Sequence, residues 1–359
     1  MRHARVTSNP DEAGYYHAIC RTVGQTFYFG DDSEKDRLLL WLDKAVAFCG
    51  VELRAWCVMS NHVHLLVKVP PHRAAAALSD EELLRRMRQL YLPKRHQAIL
   101  QQWEDWRRID GNDRRVDAAK ARLRARMNNI SSFMSIFKQA VAQDYNARHR
   151  HSGSIWGGSR FKSVFLQGSL SVQLSVAAYI HLNPVRAGIV ESPEQYPWSS
   201  WGAAATRTAS ASRNALLALY NESLPPTAKL TWPSVKAKLS AVHALARARD
   251  GVLPEDALAA LFADAELIPA PTSPAPSPAK EPSTPPLPSM LSAKSSVFTS
   301  TPILGSKEFI HHYFTTSGGR FAATRHRRFA VPVTDIASQP LFALRDTRLG
   351  RPPRSAKTP

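Results

Sequence analysis

Apolar and polar positions recur regularly enough to lay out most of the N-terminal half of the chain. Residues 15–23 are β-prone, with His17 and Arg21 set among apolar neighbours, and read as a first strand. Asp32 or Ser33 then caps a helix from about residue 34 to Cys49, with Leu38, Leu39, Leu42, Ala45 and Val46 on one face and Gly50 as its stop. Residues 51–59 and 62–69 form two β-rich runs joined by Ser60-Asn61, a hairpin pattern. Residues 83–126 are helix-like, and Pro93 and Gly111 break them into pieces. A further amphipathic helix spans about 130–148, with Phe133, Ile136, Phe137, Ala140 and Val141 on one stripe. Residues 160–166 alternate as a strand. Ser169 or Ser171 opens another helix, which must end near Asn183 because Pro184 disfavours helical geometry in the residue before it.

The order β-α-β-β-α-β-α predicts an α+β fold: a ferredoxin-like antiparallel sheet with flanking helices and one extra helix. The expected catalytic domain is 1–203, interrupted by a helical insertion at about 71–128. Beyond it lie an Ala-rich helical extension over 204–268, a linker over 269–297, and a small module over 298–359. Nine prolines fall between Pro269 and Pro288, a composition that builds no core.

Charge changes the picture most. The chain has 47 Lys+Arg against 29 Asp+Glu, a net +18, which favours a polyanionic partner, nucleic acid above an anionic membrane surface. The excess is concentrated: 13 Lys+Arg against 5 Asp+Glu between Arg85 and Arg126, and nine against two from Arg320 to the end. Both stretches are expected to add non-specific affinity. Cys20, Cys49 and Cys57 lack metal-site or disulfide spacing and read as buried thiols in a reducing compartment. A polar N-terminus and the lack of any apolar run of about 18 residues predict a cytoplasmic, nucleoid-associated protein with no membrane partner.

Candidate chemistry sits in two places. In Asn61-His62-Val63-His64-Leu65-Leu66 the histidines are two apart on a strand, so they share a face, with Val63 turned the other way. Two imidazoles on one face are half of a divalent-metal site, or simply a polar surface. In Tyr179-Ile180-His181-Leu182-Asn183-Pro184, Tyr179 and Asn183 lie four apart at a helix end. Asn183 can offer a carbonyl oxygen to a hard cation, placing Tyr179 one turn from the metal.

Together these motifs resemble the single-tyrosine HUH transposase family, and most of all its branch of REP-associated tyrosine transposases. Supporting stretches are Met59 to Leu66, Ser152-Gly153-Ser154-Ile155-Trp156, Arg160-Phe161-Lys162-Ser163, Asn183-Pro184-Val185-Arg186-Ala187-Gly188 and Tyr196-Pro197-Trp198-Ser199-Ser200. The resemblance runs from about Tyr15 to Trp201 and extends faintly to residues 303–309. Three residues, Gly157 to Ser159, separate Trp156 from Arg160 where the family pattern leads one to expect two.

The resemblance implies a metal-dependent DNA endonuclease with strand-transfer activity on single-stranded or hairpin DNA. Tyr179 would be the nucleophile, forming a 5′-phosphotyrosine intermediate. His62, His64 and Asn183 would hold Mg²⁺, with Mn²⁺ able to substitute. Trp156, Arg160, Lys162 and Arg186 would supply stacking and phosphate contacts for a single strand. Trp198 reads instead as a packing anchor. Acting alone or as a homodimer are both open. The competing readings are a DNA-binding regulator that keeps the fold without cutting, and a phosphodiesterase that uses water with Tyr179 only structural.

Overall fold

The computed structural model describes residues 5–158, 161–206, 211–222, 224, 226–248, 297–300, 302–316, 329–330 and 342–344. The proline-rich stretch and the basic end beyond residue 344 lie outside the described residues, as does Arg160.

Strands β1 (Gly14–Arg21), β2 (Glu52–Val58), β3 (His62–Val69) and β4 (Lys162–Leu166) form the order β2-β3-β1-β4, antiparallel throughout. With helix α1 (Asp32–Cys49) between β1 and β2, and α5 (Ile130–His149) between β3 and β4, this is the expected ferredoxin-like α+β fold. Local signals act where they were read. Gly50 closes α1 at φ 67°, its N–H donating to the Val46 carbonyl. Asn129 caps α5 by accepting from the Ser131 and Ser132 N–H groups. The β4 strand begins at Lys162 rather than residue 160.

The sheet divides two cores. Tyr16, Ala18 and Cys20 of β1 and Val63, Leu65 and Val67 of β3 face α1 and α5, joining Leu38, Phe48, Phe133 and Phe137. This first core also takes Leu83, Trp103 and Val116 from the insertion, whose helices are α2 (Asp80–Leu90), α3 (Pro93–Asp110) and α4 (Arg114–Arg124). The breaks fall at Pro93 and Gly111, as proline and a left-handed glycine at φ 66° require. Seven of the thirteen insertion cations are in ion pairs: Arg85 and Arg86 with Glu82, Arg107 with Asp113, Arg108 with Asp105, Arg115 with Asp110, and Lys120 and Arg124 with Asp80. Much of the insertion's positive charge is therefore met within it.

The opposite face packs on α6 (Leu170–His181), α8 (Ser200–Thr206), α9 (Ala211–Asn221) and α10 (Trp232–Ala248), through Val172, Val176, Trp201, Leu216, Tyr220 and Leu239. A one-turn helix α7 (Asn183–Arg186) follows α6, with Pro184 in its first turn.

The described residues after 297, part of the small C-terminal module marked out in the sequence, add strands to this sheet. Strand β5 (Ile303–Gly305) pairs in parallel with β4, and β7 (Phe342–Leu344) and β6 (Phe329–Ala330) continue the sheet to seven strands. The Phe165 N–H donates to the Pro302 carbonyl and the Gln167 N–H to that of Leu304. The reason is chemical: β4 was an open edge, with donors and acceptors that another strand can satisfy. Phe298 and Leu304 enter the second core, and Ile303 and Ile310 the first. No helix among the described residues is long and apolar enough to cross a membrane.

Candidate active site

Period-two alternation places His17 of β1 and His62 and His64 of β3 on the face that meets α6. In the β1–β3 register Ile19 lies opposite His64 and Arg21 opposite His62. In the β1–β4 register Lys162 lies opposite Ile19, so Lys162, Ile19 and His64 form one row across the sheet.

Tyr179 reaches this face from the last turn of α6. Its ring lies 5.7 Å from that of His64, 5.8 Å from His17 and 5.1 Å from Phe298, centroid to centroid. The His62 and His64 rings are 5.0 Å apart. The Arg186 guanidinium stands 4.8 Å over the Tyr179 ring and donates to the Tyr179 carbonyl. The amide of Asn183 donates from Nδ2 to the carbonyls of Tyr179 and Ile180. That arrangement turns its NH₂ end back to the helix terminus and leaves Oδ1 as the free end. The Tyr179 hydroxyl makes no hydrogen bond among the described residues.

The two histidines of the strand are each tied back through Nδ1. His62 Nδ1 is 2.6 Å from Asn61 Oδ1, and Asn61 in turn donates from Nδ2 to the Gln25 carbonyl. His64 Nδ1 is 2.9 Å from His17 Nε2, and His17 Nδ1 is 2.7 Å from the Phe298 carbonyl. Burial pushes His62 down to about 4, helped by the Arg21 charge, and takes His64 well below the usual imidazole range. Burial likewise pushes His17 down to about 4, with the Phe298 carbonyl opposing it. Neutral imidazoles with their lone pairs available are the form that binds a metal. Burial raises the Tyr179 phenol above 10.0, and the Arg186 and Arg21 charges oppose that shift without reversing it.

The donor set fits a divalent cation of the Mg²⁺ or Mn²⁺ kind through two imidazole nitrogens and one amide oxygen. Among the described residues no group of three or more His, Cys, Asp or Glu side chains is arranged to hold a metal. A third protein ligand here would have to be of another kind, and the amide oxygen of Asn183, whose Nδ2 is held at the end of α6, is a neutral oxygen of a suitable type.

Of the sequence-predicted site residues, the structure brings together Tyr179, His62, His64, Asn183 and Arg186, with Lys162 exposed in the same row. Trp156 is elsewhere, and its reading as a base-stacking surface is corrected. Its side chain is 4% exposed in the first core, donating from Nε1 to the Lys138 carbonyl and packing on Phe29 and Phe137. The following Gly157 lies close against β1: its N–H donates to the Arg21 carbonyl, and a Cβ there would lie 2.9 Å from the Thr22 carbonyl oxygen. Trp198 packs as expected, its Nε1 donating to Asp36 and Lys35 lying over its ring. Sequence reasoning passed over His17, Arg21 and Phe298. The alternation of 17, 19 and 21 could have revealed the first two, and no local signal announces the third.

Residues 12–83, a fifth of the chain, match the family model of IS200-like transposases. Over that stretch the chain is similar to IS200-like transposases. This match takes in β1, α1, β2 and β3 with all three histidines, and stops before the tyrosine helix. A solved structure of a REP-associated tyrosine transposase bound to a REP hairpin is similar to this chain at 15% identity, covering 58% of this chain and 87% of its own, with a TM-score of 0.35. No curated protein matches.

Proposed function

We propose that the protein cuts and rejoins single-stranded DNA, with Tyr179 as nucleophile. The observation that carries this reading is one juxtaposition. A tyrosine whose hydroxyl has no partner among the described residues stands within ring contact of a two-histidine strand and under an arginine. A tyrosine kept only for packing needs neither neighbour. The structural relative's REP hairpin suggests folded-back single-stranded DNA as substrate.

In the reaction, Tyr179 Oη forms a bond to phosphorus as the bond from phosphorus to the 3′-oxygen breaks. The phenolic proton leaves to solvent and the 3′-oxygen takes one up, giving a 5′-phosphotyrosine and a free 3′-hydroxyl. Attack by another 3′-hydroxyl reverses the step at a new junction, so no outside energy source is needed. His62, His64 and Asn183 would hold Mg²⁺, or Mn²⁺ in its place, which supplies positive charge to the phosphoryl oxygens. Burial makes Tyr179 a poorer acid than free phenol, and Arg186 and Arg21 partly restore its acidity. Lys162, Arg186 and Arg21 are exposed cations on this face, suited to holding phosphates beside it.

Denaturing electrophoresis with labelled hairpin oligonucleotides tests the proposal. The wild type is expected to form a covalent adduct that EDTA prevents. Tyr179→Phe is expected to form none while binding the hairpin with unchanged affinity. An adduct from the Phe variant would place the nucleophile elsewhere.

A further inference from the structure

We propose that His17 is a positioning residue of this centre: a relay from the Phe298 carbonyl through His17 holds His64 in the tautomer that leaves its Nε2 lone pair free for a divalent cation. The proposal rests on the reading of His62 and His64 as metal ligands and adds a residue to it from outside the H-x-H motif.

Hydrogen-bond direction and burial together fix the tautomers. A backbone carbonyl can only accept, so the 2.7 Å contact with Phe298 requires a hydrogen on His17 Nδ1. His17 is fully buried, and its two ring nitrogens meet only the Phe298 carbonyl and His64, with no carboxylate partner among the described residues, so it is a neutral ring with its lone pair on Nε2. That nitrogen, 2.9 Å from His64 Nδ1, must accept; His64 must therefore carry its hydrogen on Nδ1. A neutral His64 with Nδ1–H has its lone pair on Nε2, which makes no hydrogen bond among the described residues.

His62 reaches the same state by separate means. Asn61 donates from Nδ2 to the Gln25 carbonyl, which turns its Oδ1 to accept from His62 Nδ1. Two unrelated devices, one an asparagine beside the strand and the other a second histidine, leave both motif histidines with bare Nε2 atoms. Partners of this kind orient metal-binding histidines and raise their basicity. The relay also gives the chain beyond the proline-rich stretch a part in the site, since Phe298 lies 281 positions from His17.

The test uses the full chain with ¹⁵N-labelled histidine. Long-range ¹H–¹⁵N spectra of the metal-free protein read each tautomer directly, and titration with Mn²⁺, followed by electron paramagnetic resonance, reads affinity. In the wild type His64 is expected as the Nδ1–H form. His17→Phe removes the acceptor, so His64 is expected to populate both tautomers and Mn²⁺ affinity to fall about 10- to 100-fold, while His62 is unchanged. His17→Gln, whose Oε1 can accept from His64, is expected to restore affinity to within about threefold.

An Nε2–H His64 in the metal-free wild type overturns the proposal without any variant, so a Phe variant that fails to fold does not protect it. Wild-type Mn²⁺ affinity in His17→Phe also overturns it and leaves the metal reading standing. A wild type with the expected tautomer that binds no Mn²⁺ overturns the metal reading, and the positioning role with it.

Discussion

The two faces of one sheet carry opposite kinds of core. Toward α1 and α5 the strands present Tyr16, Ala18, Cys20, Val63, Leu65 and Val67 to a layer of phenylalanines and tryptophans. Toward α6 the same strands present His17, His62 and His64 to Tyr179, among apolar neighbours such as Leu66, Val164 and Ala178. Each buried imidazole costs desolvation that an aliphatic side chain would not, and only hydrogen bonds offset it. The first face shows what the sheet needs for stability. The second departs from that pattern in one cluster, which is where the chemistry is assigned.

The sharpest break of this comparison is removal of everything after Ile268. That truncation takes away β5 and the buried side chains Phe298, Ile303, Leu304 and Ile310, which serve both cores. Each is worth about 1.5–3 kcal/mol of burial before ordering costs are subtracted. A fall of several degrees or more in melting temperature is expected, at about 2–4 °C per kcal/mol. An unchanged melting temperature would show that this segment acts only as an electrostatic accessory.

A substitution confined to the first face should leave the site untouched. Trp156→Ala empties a buried ring site and is expected to cost about 3–5 kcal/mol of stability. Hairpin affinity, measured well below the lowered melting temperature, should stay at the wild-type value. Loss of affinity without loss of stability would restore Trp156 to the DNA surface.

What could be read from sequence, and what could not, follows the same division. The strand 62–69 was legible to the residue, because period-two alternation flips every side chain if the register slips by one. Helices ended where Gly50, Pro93 and Gly111 end them. The H-x-H pair and the Tyr179–Asn183 pair were each visible within a few residues of chain. The structure brings those pairs together. Trp156 misled because an aromatic beside a Gly-Gly turn looks the same in sequence whether it faces solvent or core. Phe298 and β5 were out of reach: their place depends on an open edge at β4, a property of the assembled sheet. His17 lay between these cases, visible as a polar residue inside an apolar strand but without a partner until β3 was placed beside it.

The smallest expected effect concerns charge, and it tests whether DNA meets only one face. Lys162 is exposed at the start of β4, in the row that leads through Ile19 to His64. Arg114 is also exposed, at the start of α4 in the insertion, and makes no ion pair among the described residues. Both are single cations on the surface, so fold stability should not distinguish their alanine variants. Position should. If the strand lies along the histidine face, Lys162→Ala removes one phosphate contact. The slope of log K against log salt should then become shallower by about one, with an affinity loss of about tenfold or less at moderate salt. Adduct formation at saturating DNA should keep its wild-type rate, because Lys162 holds the strand and takes no part in the attack. Arg114→Ala should change neither slope nor affinity, since the insertion packs on the opposite face. Equal shallowing in both variants would mean that phosphates are gathered by both faces, and that the division holds for the chemistry but not for binding.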